Sequence, residues 1–197
     1  MKDQWYGDNR DLVKWGVLLE LSRKYKCSAI LQVLYRRPSE WATIQIGGDE
    51  VDLRPEVIQH FRDAEAISRM RGPVSIEVIA DKFQDRHTYS QIIARRIKAR
   101  TASPGIVFLD PDTGLQPKGK PGHEHVLESE LAEIWKLMRT GDVRVFYQHQ
   151  TNRKGEPWID VKKDQFAKAI GIQQCCAKLA YAPGIARDVA FFYAQRD

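Results

Sequence analysis

The stretch Gly105-Ile-Val-Phe-Leu-Asp110-Pro-Asp112-Thr-Gly114-Leu115 decides the fold of this chain. It begins with a short apolar run and ends in two carboxylates that bracket a proline and precede a glycine. A continuous apolar run of this length predicts a strand buried on both faces, as in a parallel sheet covered by helices. Ligands of such sheets bind in the crevice beyond the carboxyl ends of the strands. Asp110 and Asp112 are therefore candidate site residues.

The segments on either side of this stretch alternate between strand and helix patterns. Strands are predicted at 29–35, 41–46, 74–80, 106–109, 143–149, 177–181 and 189–194. Helices are predicted at 12–25, 54–70, 89–100, 127–138 and 159–170. This alternation indicates the α/β class, with a Rossmann-like, mainly parallel sheet and helices on both faces. A turn at Pro183-Gly184 predicts a C-terminal antiparallel hairpin, and residues 1–197 are predicted to form a single domain.

The composition is that of an ordinary globular chain with a basic balance. Its 197 residues carry a net charge of +5 and a pI near 9.1, which is compatible with a nucleic-acid or other anionic partner. No apolar run approaches the roughly 18 residues that cross a bilayer, and the first residues lack the apolar stretch of a signal peptide. Cys27, Cys175 and Cys176 have no metal-ligand spacing. We therefore expect a cytoplasmic protein without a membrane partner.

Polar residues follow three of the predicted strands at the point where each strand ends. Asp81 follows the third strand, Asp110 and Asp112 follow the fourth, and His149 ends the fifth. Because parallel strands end at one edge of the sheet, we expect these side chains to converge there. Carboxylates and a histidine gathered in a crevice are the residue types of general acid–base chemistry or of a ligand site.

Each candidate also has a structural interpretation, which the sequence leaves open. Asp110 and Asp112 are turn formers beside a proline and a glycine. Asp8 and Asp11 are suited to capping the helix that follows them. His149 at a strand end is as compatible with a hydrogen-bonded structural histidine as with a general base.

The N-terminal motif Trp5-Tyr-Gly7-Asp-Asn9-Arg-Asp11-Leu-Val-Lys14-Trp15, followed by an apolar helix, resembles the start of a group of methyltransferases that act on ribosomal RNA adenines. It is also similar to the opening of the three-Cys-motif partner proteins. Together, the motifs Gly-Asp-Asn-Arg-Asp, Asp-Pro-Asp-Thr-Gly-Leu and Tyr-Gln-His resemble those of a bacterial and phage family. The resemblance implies a methyltransferase-like fold and S-adenosylmethionine as cofactor. The residues that it assigns to cofactor binding are Gly7, Asn9, Asp11, Lys14 and Asp81.

Asp110-Pro111 resembles the first half of the Asp/Asn-Pro-Pro-aromatic motif that ends the fourth strand of these methyltransferases. In that motif the acid side chain and the carbonyl of the proline step accept hydrogen bonds from the target amine. The resemblance implies a catalytic role for Asp110 and Pro111, and a nucleic acid or nucleotide as partner. Asp112 and His149 are further catalytic candidates because of their place at the strand ends. A basic edge would hold the phosphates. Its residues would be Arg95, Arg96, Lys118, Arg153 and Lys154.

The sequence departs from that family at two places. Asp112 and Thr113 stand where the second proline and the aromatic belong, and Tyr35-Arg-Arg-Pro-Ser39 stands where the cofactor loop is glycine-rich. These departures leave two alternatives open. One is a divalent-metal-dependent nuclease or phosphoesterase in which Asp110 and Asp112 bind Mg²⁺ or Mn²⁺ through hard oxygens. The other is a non-catalytic module that binds a nucleotide or a protein.

Overall fold

The computed structural model describes residues 8–37, 43–61, 63–150 and 157–197. The α-helices in these ranges are Asn9–Tyr25 (α1), Pro55–Phe61 (α2), Arg86–Ala99 (α3), Glu128–Leu137 (α4) and Ile159–Ala169 (α5). The strands are Ala29–Val33 (β1), Thr43–Ile46 (β2), Asp49–Asp52 (β3), Ser75–Ile79 (β4), Gly105–Leu109 (β5), Gly114–Leu115 (β6), His125–Val126 (β7), Val143–His149 (β8), Lys178–Ala182 (β9) and Ala186–Gln195 (β10). Among the described helices, none combines the length and the apolar character needed to span a membrane.

The main sheet has six strands in the order β4-β1-β5-β8-β10-β9. β1 pairs in parallel with both β4 and β5, and β5 pairs in parallel with β8. β10 is antiparallel to β8 on one side and to β9 on the other. The predicted α/β class, the Rossmann-like, mainly parallel sheet and the C-terminal antiparallel hairpin are therefore confirmed.

Strand β5 explains why the apolar run in the sequence has no polar alternation. Ile106 and Phe108 pack on the face covered by α1, whereas Val107 and Leu109 pack on the face covered by α3, α4 and α5. All four side chains are fully buried. A strand with helices on both faces has no solvent side, so every position of its sequence is apolar. Because β5 ends at Leu109, the next residue, Asp110, lies at the carboxyl edge of the sheet.

The N-terminal half contains two differences from the sequence prediction. The strand predicted at 41–46 belongs to a separate antiparallel hairpin, in which β2 pairs with β3 rather than with the main sheet. β3 was not predicted because its residues Asp49–Asp52 are mostly acidic and exposed. The helix predicted over 54–70 is divided into α2 and a 3-10 turn at Ala66–Arg69.

The loop between residues 113 and 125 contains a short parallel pairing. β6 pairs with β7, which closes the loop onto itself. Gly114 adopts a φ of 128°, a conformation that side chains rarely take, and so allows the chain to turn into β6 directly after the strand end. The loop is therefore built around a glycine that the sequence marked only as a turn former.

Candidate functional site

A cavity of about 270 Å³ lies at the carboxyl edge of the sheet, between the N-terminus of α1 and the ends of β5 and β8. Its lining residues are Asp8, Arg10, Asp11, Lys14, Asp110, Pro111, Asp112, Thr113, Tyr147 and His149. The helix start, the Asp-Pro-Asp segment and the end of β8 thus meet in one place, although they are far apart in the chain. From β1 the chain first adds β4 on one side of β1 and then adds β5 on the other side, so the strand order reverses at β1 and β5. The cavity lies beside this point, and open α/β sheets bind ligands at such reversals.

Asp110 forms the buried wall of this cavity and is 1% exposed. Its Oδ2 atom accepts a hydrogen bond from Gln32 Nε2 at 2.8 Å and is 2.8 Å from Lys14 Nζ. Its Oδ1 atom is also buried but has no hydrogen-bond partner among the described residues. Burial raises the pKa of the Asp110 carboxyl, and the Lys14 ammonium opposes that rise without cancelling it. One oxygen is therefore held by two donors while the other remains a buried acceptor.

Lys14 is a buried cation between two carboxylates. Its Nζ atom lies 2.5 Å from Asp11 Oδ1 and 2.8 Å from Asp110 Oδ2, and 5.6 Å from the centroid of the Tyr147 ring. Burial alone lowers the pKa of Lys14, but the charges of Asp110 and Asp11 raise it above its ordinary value. The spacing of three residues puts Asp11 and Lys14 on one face of α1. The sequence motif therefore places a positive charge directly behind the Asp110 carboxylate.

Asp112 has a different cationic partner from Asp110. Its carboxylate pairs with the guanidinium of Arg37, which follows β1 and also lies 3.8 Å from a carboxylate oxygen of Glu124. The two acids of the Asp-Pro-Asp segment are thus divided between Lys14 and Arg37. In the described ranges, no group of three His, Cys, Asp or Glu side chains is arranged to hold a metal ion. In this arrangement each of the two carboxylates lies beside its own protein cation.

Gln148 holds the loop that carries Asp112. Its side-chain oxygen accepts a hydrogen bond from Leu115 N at 2.9 Å, and its Nε2 atom donates to Thr113 O at 3.1 Å and to His149 O at 2.8 Å. The side chain is fully buried. The role of Gln148 is therefore to link β8 to the loop after β5.

His149 belongs to a charged network on the other wall of the cavity. Its Nε2 atom lies 3.1 Å from Asp188 Oδ2, and its Nδ1 atom is 2.8 Å from Gln150 O. Arg10 donates to the same Asp188 oxygen from Nη2 at 2.5 Å and from Nε at 3.1 Å, and to Asp8 Oδ2 at 2.9 Å. Both nitrogens of His149 therefore face protein oxygens, which favours its structural interpretation.

Several residues of this site had no signal in the sequence. Asp188 lies in a hairpin without a motif, and Gln32 and Arg37 become neighbours of Asp110 and Asp112 only through the pairing of β1 with β5. Asp8 is the helix cap that the sequence predicted, because its side chain accepts hydrogen bonds from the backbone N–H groups of the first turn of α1.

Other predicted residues lie away from the cavity. Asn9 is exposed in the first turn of α1, and Asp81 is exposed beyond β4, which β1 separates from β5. Gly7 lies outside the described residues. The structure thus brings Asp11, Lys14, Asp110, Pro111, Asp112 and His149 together but not Asn9 or Asp81.

Two residues of the predicted basic edge lie away from the cavity. Arg95 and Arg96 lie near the end of α3, and Arg96 Nη1 is 3.0 Å from a carboxylate oxygen of Glu77. α3 begins near the carboxyl edge of the sheet and leads to the start of β5, so its last turns are at the opposite edge. Arg153 and Lys154 lie outside the described residues.

Comparisons with known proteins identify no family for this chain. No family model matches the sequence, and no curated protein matches it. Among solved structures, the chain is similar to an O-methyltransferase family protein from Burkholderia thailandensis, with 10% sequence identity and a TM-score of 0.43. The alignment covers 95% of this chain and 56% of that chain, so the present chain spans little more than half the length of that structure.

The loop after β1 tests whether the described residues fit S-adenosylmethionine. In methyltransferase-like sheets this loop brings glycine backbone close to the cofactor. Here Tyr35 is 3% exposed and its ring packs against Phe83 and Tyr89, with centroids 5.5 and 5.3 Å away. Arg37 then crosses to Asp112. The described part of this loop does not fit the cofactor, and no chemical step is assigned to it.

Proposed function

We propose that this protein is a methyltransferase-like protein that binds nucleic acid or a nucleotide and holds an amino group of a base at Asp110 and Pro111. The observation that carries the proposal concerns Asp110, which lines the cavity. Its Oδ1 atom is buried and has no hydrogen-bond partner among the described residues. Buried polar atoms in proteins are nearly always hydrogen-bonded. An N–H donor of a bound base would supply the missing partner.

The arrangement around Asp110 supports a donor ligand. Lys14 and Gln32 both point at Oδ2, which leaves Oδ1 as the oxygen available to a ligand. Pro111 has no N–H, so beside the acid it offers a ligand only its carbonyl acceptor. An amino group has two hydrogens, and these neighbouring acceptors match them. The resemblance of Asp110-Pro111 to the amine-receiving motif agrees with this chemistry.

The charges of the cavity support the same class of ligand. Its lining includes the carboxylates of Asp8, Asp11, Asp110 and Asp112 against the cations of Arg10 and Lys14. An excess of carboxylates repels a phosphate and attracts a hydrogen-bond donor. The base edge would therefore enter the cavity, while the phosphates of a nucleotide or nucleic acid would remain outside it.

A non-catalytic binding module is the second candidate, because Tyr35 and Arg37 occupy the loop where a methyl donor would approach. Methyl transfer and simple binding share the Asp110 site and differ in whether the methyl donor binds. Calorimetric titration of the full chain with S-adenosylmethionine separates them. A measurable heat of binding supports methyl transfer, whereas no heat of binding supports the binding module. A titration with Mn²⁺ that gives heat only while Asp110 and Asp112 are intact would restore the metal-dependent alternative.

The amine at Asp110 is tested by comparing adenosine with inosine, which has a carbonyl in place of the amino group. We expect adenosine to bind at least tenfold more tightly, because a hydrogen bond to a charged group contributes about 1.5–3 kcal/mol. In Asp110→Asn, Lys14 and Gln32 would still select the side-chain oxygen, so the amide NH₂ would take the place of Oδ1. The variant should then prefer inosine.

The matched control for this comparison is Arg95→Gln, which changes an exposed residue near the end of α3 and should keep the preference for adenosine. Equal binding of the two nucleosides by the unchanged protein, or an unchanged preference in Asp110→Asn, would contradict the proposal.

A further inference from the structure

Two adjacent thiols lie outside the cavity and have no part in the proposed function. Cys175 and Cys176 are both exposed in the 3-10 turn Gln174–Cys176, whereas Cys27 is buried. A pair of neighbouring thiols on the surface differs chemically from a single one, because both sulfurs can bind the same soft centre.

The turn holds the two thiols in a defined place. Cys176 N donates to Gln173 O at 2.9 Å, and Ala177 N donates to Gln174 O at 3.2 Å. Ala177 is 3% exposed and packs in the core, so it fixes the end of the turn. The side chains are therefore presented from a segment that is anchored at the point where β9 begins.

The two sulfur groups also interact with each other. A side-chain hydrogen bond with Cys175 raises the pKa of the Cys176 thiol, and Cys175 Sγ donates to Gln173 Oε1 at 3.5 Å. The thiols of Cys175 and Cys176 are thus close enough to act on one ligand, and both remain accessible to solvent.

The spacing of this pair favours chelation over a disulfide. Consecutive Cα atoms are about 3.8 Å apart across a trans peptide, whereas disulfides usually join Cα atoms roughly 4.4–6.8 Å apart. A disulfide between Cys175 and Cys176 would therefore be strained. A bridging atom with bonds of about 2.3 Å to each sulfur, as in metal thiolates, allows the sulfurs to stay farther apart.

We propose that Cys175 and Cys176 form a surface dithiol site for a thiophilic centre that is satisfied by two thiolates, of which an organic trivalent arsenical is the type. Condensation of an arsenoxide with the site forms two As–S bonds and breaks two S–H bonds and the As=O bond. The two thiol protons leave with the oxygen as water. Arsenic stays trivalent, so the step needs no oxidant or reductant.

The test uses phenylarsine oxide with the full chain under reducing conditions. We expect one adduct per chain by intact mass, and the loss of two thiols that react readily with a disulfide reagent. The adduct should resist a monothiol but be removed by a dithiol, because only a dithiol can bind the arsenic through two sulfurs as the protein does. Retention of the adduct in the presence of excess dithiol would overturn the proposal.

The variants Cys175→Ser and Cys176→Ser separate chelation from single-thiol attachment. Each should weaken the adduct at least tenfold and make it removable by a monothiol, while Cys27→Ala should retain the behaviour of the unchanged protein. Thermal unfolding of the two serine variants should be unaltered, since both side chains are exposed. An unchanged adduct in either serine variant, or no adduct in the unchanged protein, would exclude the site.

Discussion

The side-chain amide of Gln148 lies directly against Gly114, in the space that a Cβ atom on residue 114 would occupy. This contact lets Gln148 donate to Thr113 O and accept from Leu115 N, one residue on each side of the glycine. The loop after β5 is thus held from β8 by a single buried amide. The position of Asp112 depends on that contact, because Asp112 directly precedes Thr113.

Substitution of this glycine is therefore expected to destabilise the protein and to disturb the cavity. Gly114→Ala forces a side chain onto a φ of 128° and pushes Gln148 aside. We expect the free energy of unfolding in urea to fall by about 1–3 kcal/mol, from overpacking and backbone strain together. Gly119→Ala in the same loop, where an added Cβ meets nothing within 4 Å, is the control. Equal losses in the two variants would contradict the role of Gln148.

The buried pair of Lys14 and Asp110 should show strong coupling. Lys14→Met leaves the carboxylates of Asp11 and Asp110 without this ammonium in a site where Lys14 is 2% exposed. We expect a loss of about 3–5 kcal/mol in the free energy of unfolding, as for other broken buried pairs.

The double variant Lys14→Met with Asp110→Asn should lose clearly less than the sum of the single variants, because it removes both charges. Lys136→Met, in an exposed pair with Glu133, should leave stability nearly unchanged. Additive losses at Lys14 and Asp110 would mean that the two charges do not depend on each other.

The Arg10–Asp188 pair predicts a dependence of stability on acid pH. Burial raises the pKa of Asp188, but the hydrogen bond and charge of Arg10 outweigh it, so the net pKa is below its ordinary value. A lowered folded-state pKa stabilises the protein above the unfolded value of about 3.9, and this contribution is lost as the pH falls through the folded value.

We therefore expect the stability difference between the unchanged protein and Asp188→Asn to be constant near neutral pH and to vanish in strong acid. Urea titrations from pH 7 downwards measure it. If this stability difference instead grew as the pH falls, the Arg10–Asp188 pair would not stabilise the folded protein in the way expected.

Arg144 is expected to lower stability rather than raise it. Its side chain is fully buried, and its Nε and Nη2 atoms lie 3.3 and 3.1 Å from the weak acceptor Met138 Sδ. Its Nη1 atom has no hydrogen-bond partner among the described residues. Burial lowers the pKa of the Arg144 guanidinium to about 9. Arg144→Met should therefore increase the free energy of unfolding at pH 7, by an amount on the order of 1 kcal/mol.

This gain has a pH dependence of its own. A base whose folded-state pKa is lowered destabilises the protein fully below that value and less as the pH rises towards the unfolded value. The gain from Arg144→Met should thus shrink above pH 9. Thermal unfolding at pH 7 and pH 10 checks both parts, and a loss of stability at pH 7 would show that Arg144 has a structural role.

The strands and helices around the site were predictable because their patterns are local. The strand at 143–149 was predicted with the bounds that it has, and the apolar run ending at Leu109 gave β5 to within one residue. β3 was missed because exposed acidic residues carry no strand signal, and the pairing of β6 with β7 was missed because two residues are too few to show a period.

The candidate site was predictable in its location but not in its contacts. The acids of Asp110 and Asp112 looked like a pair suited to one metal ion, yet each carboxylate has its own cation. Asp81 was expected beside them because it also follows a strand, but it follows the edge strand β4. Position along a strand is local information, whereas the order of strands in the sheet is not.

The sequence by itself determined that Asp110 lies at the carboxyl edge of a buried strand and that Asp11 and Lys14 share one face of a capped helix. These facts depend only on apolar runs, helix spacing and capping chemistry. Tertiary structure alone decided that Lys14 lies behind Asp110 and that Gln148 fills the space beside Gly114. The physical reason is that these contacts join distant segments, so they depend on strand order and register, which no local pattern encodes.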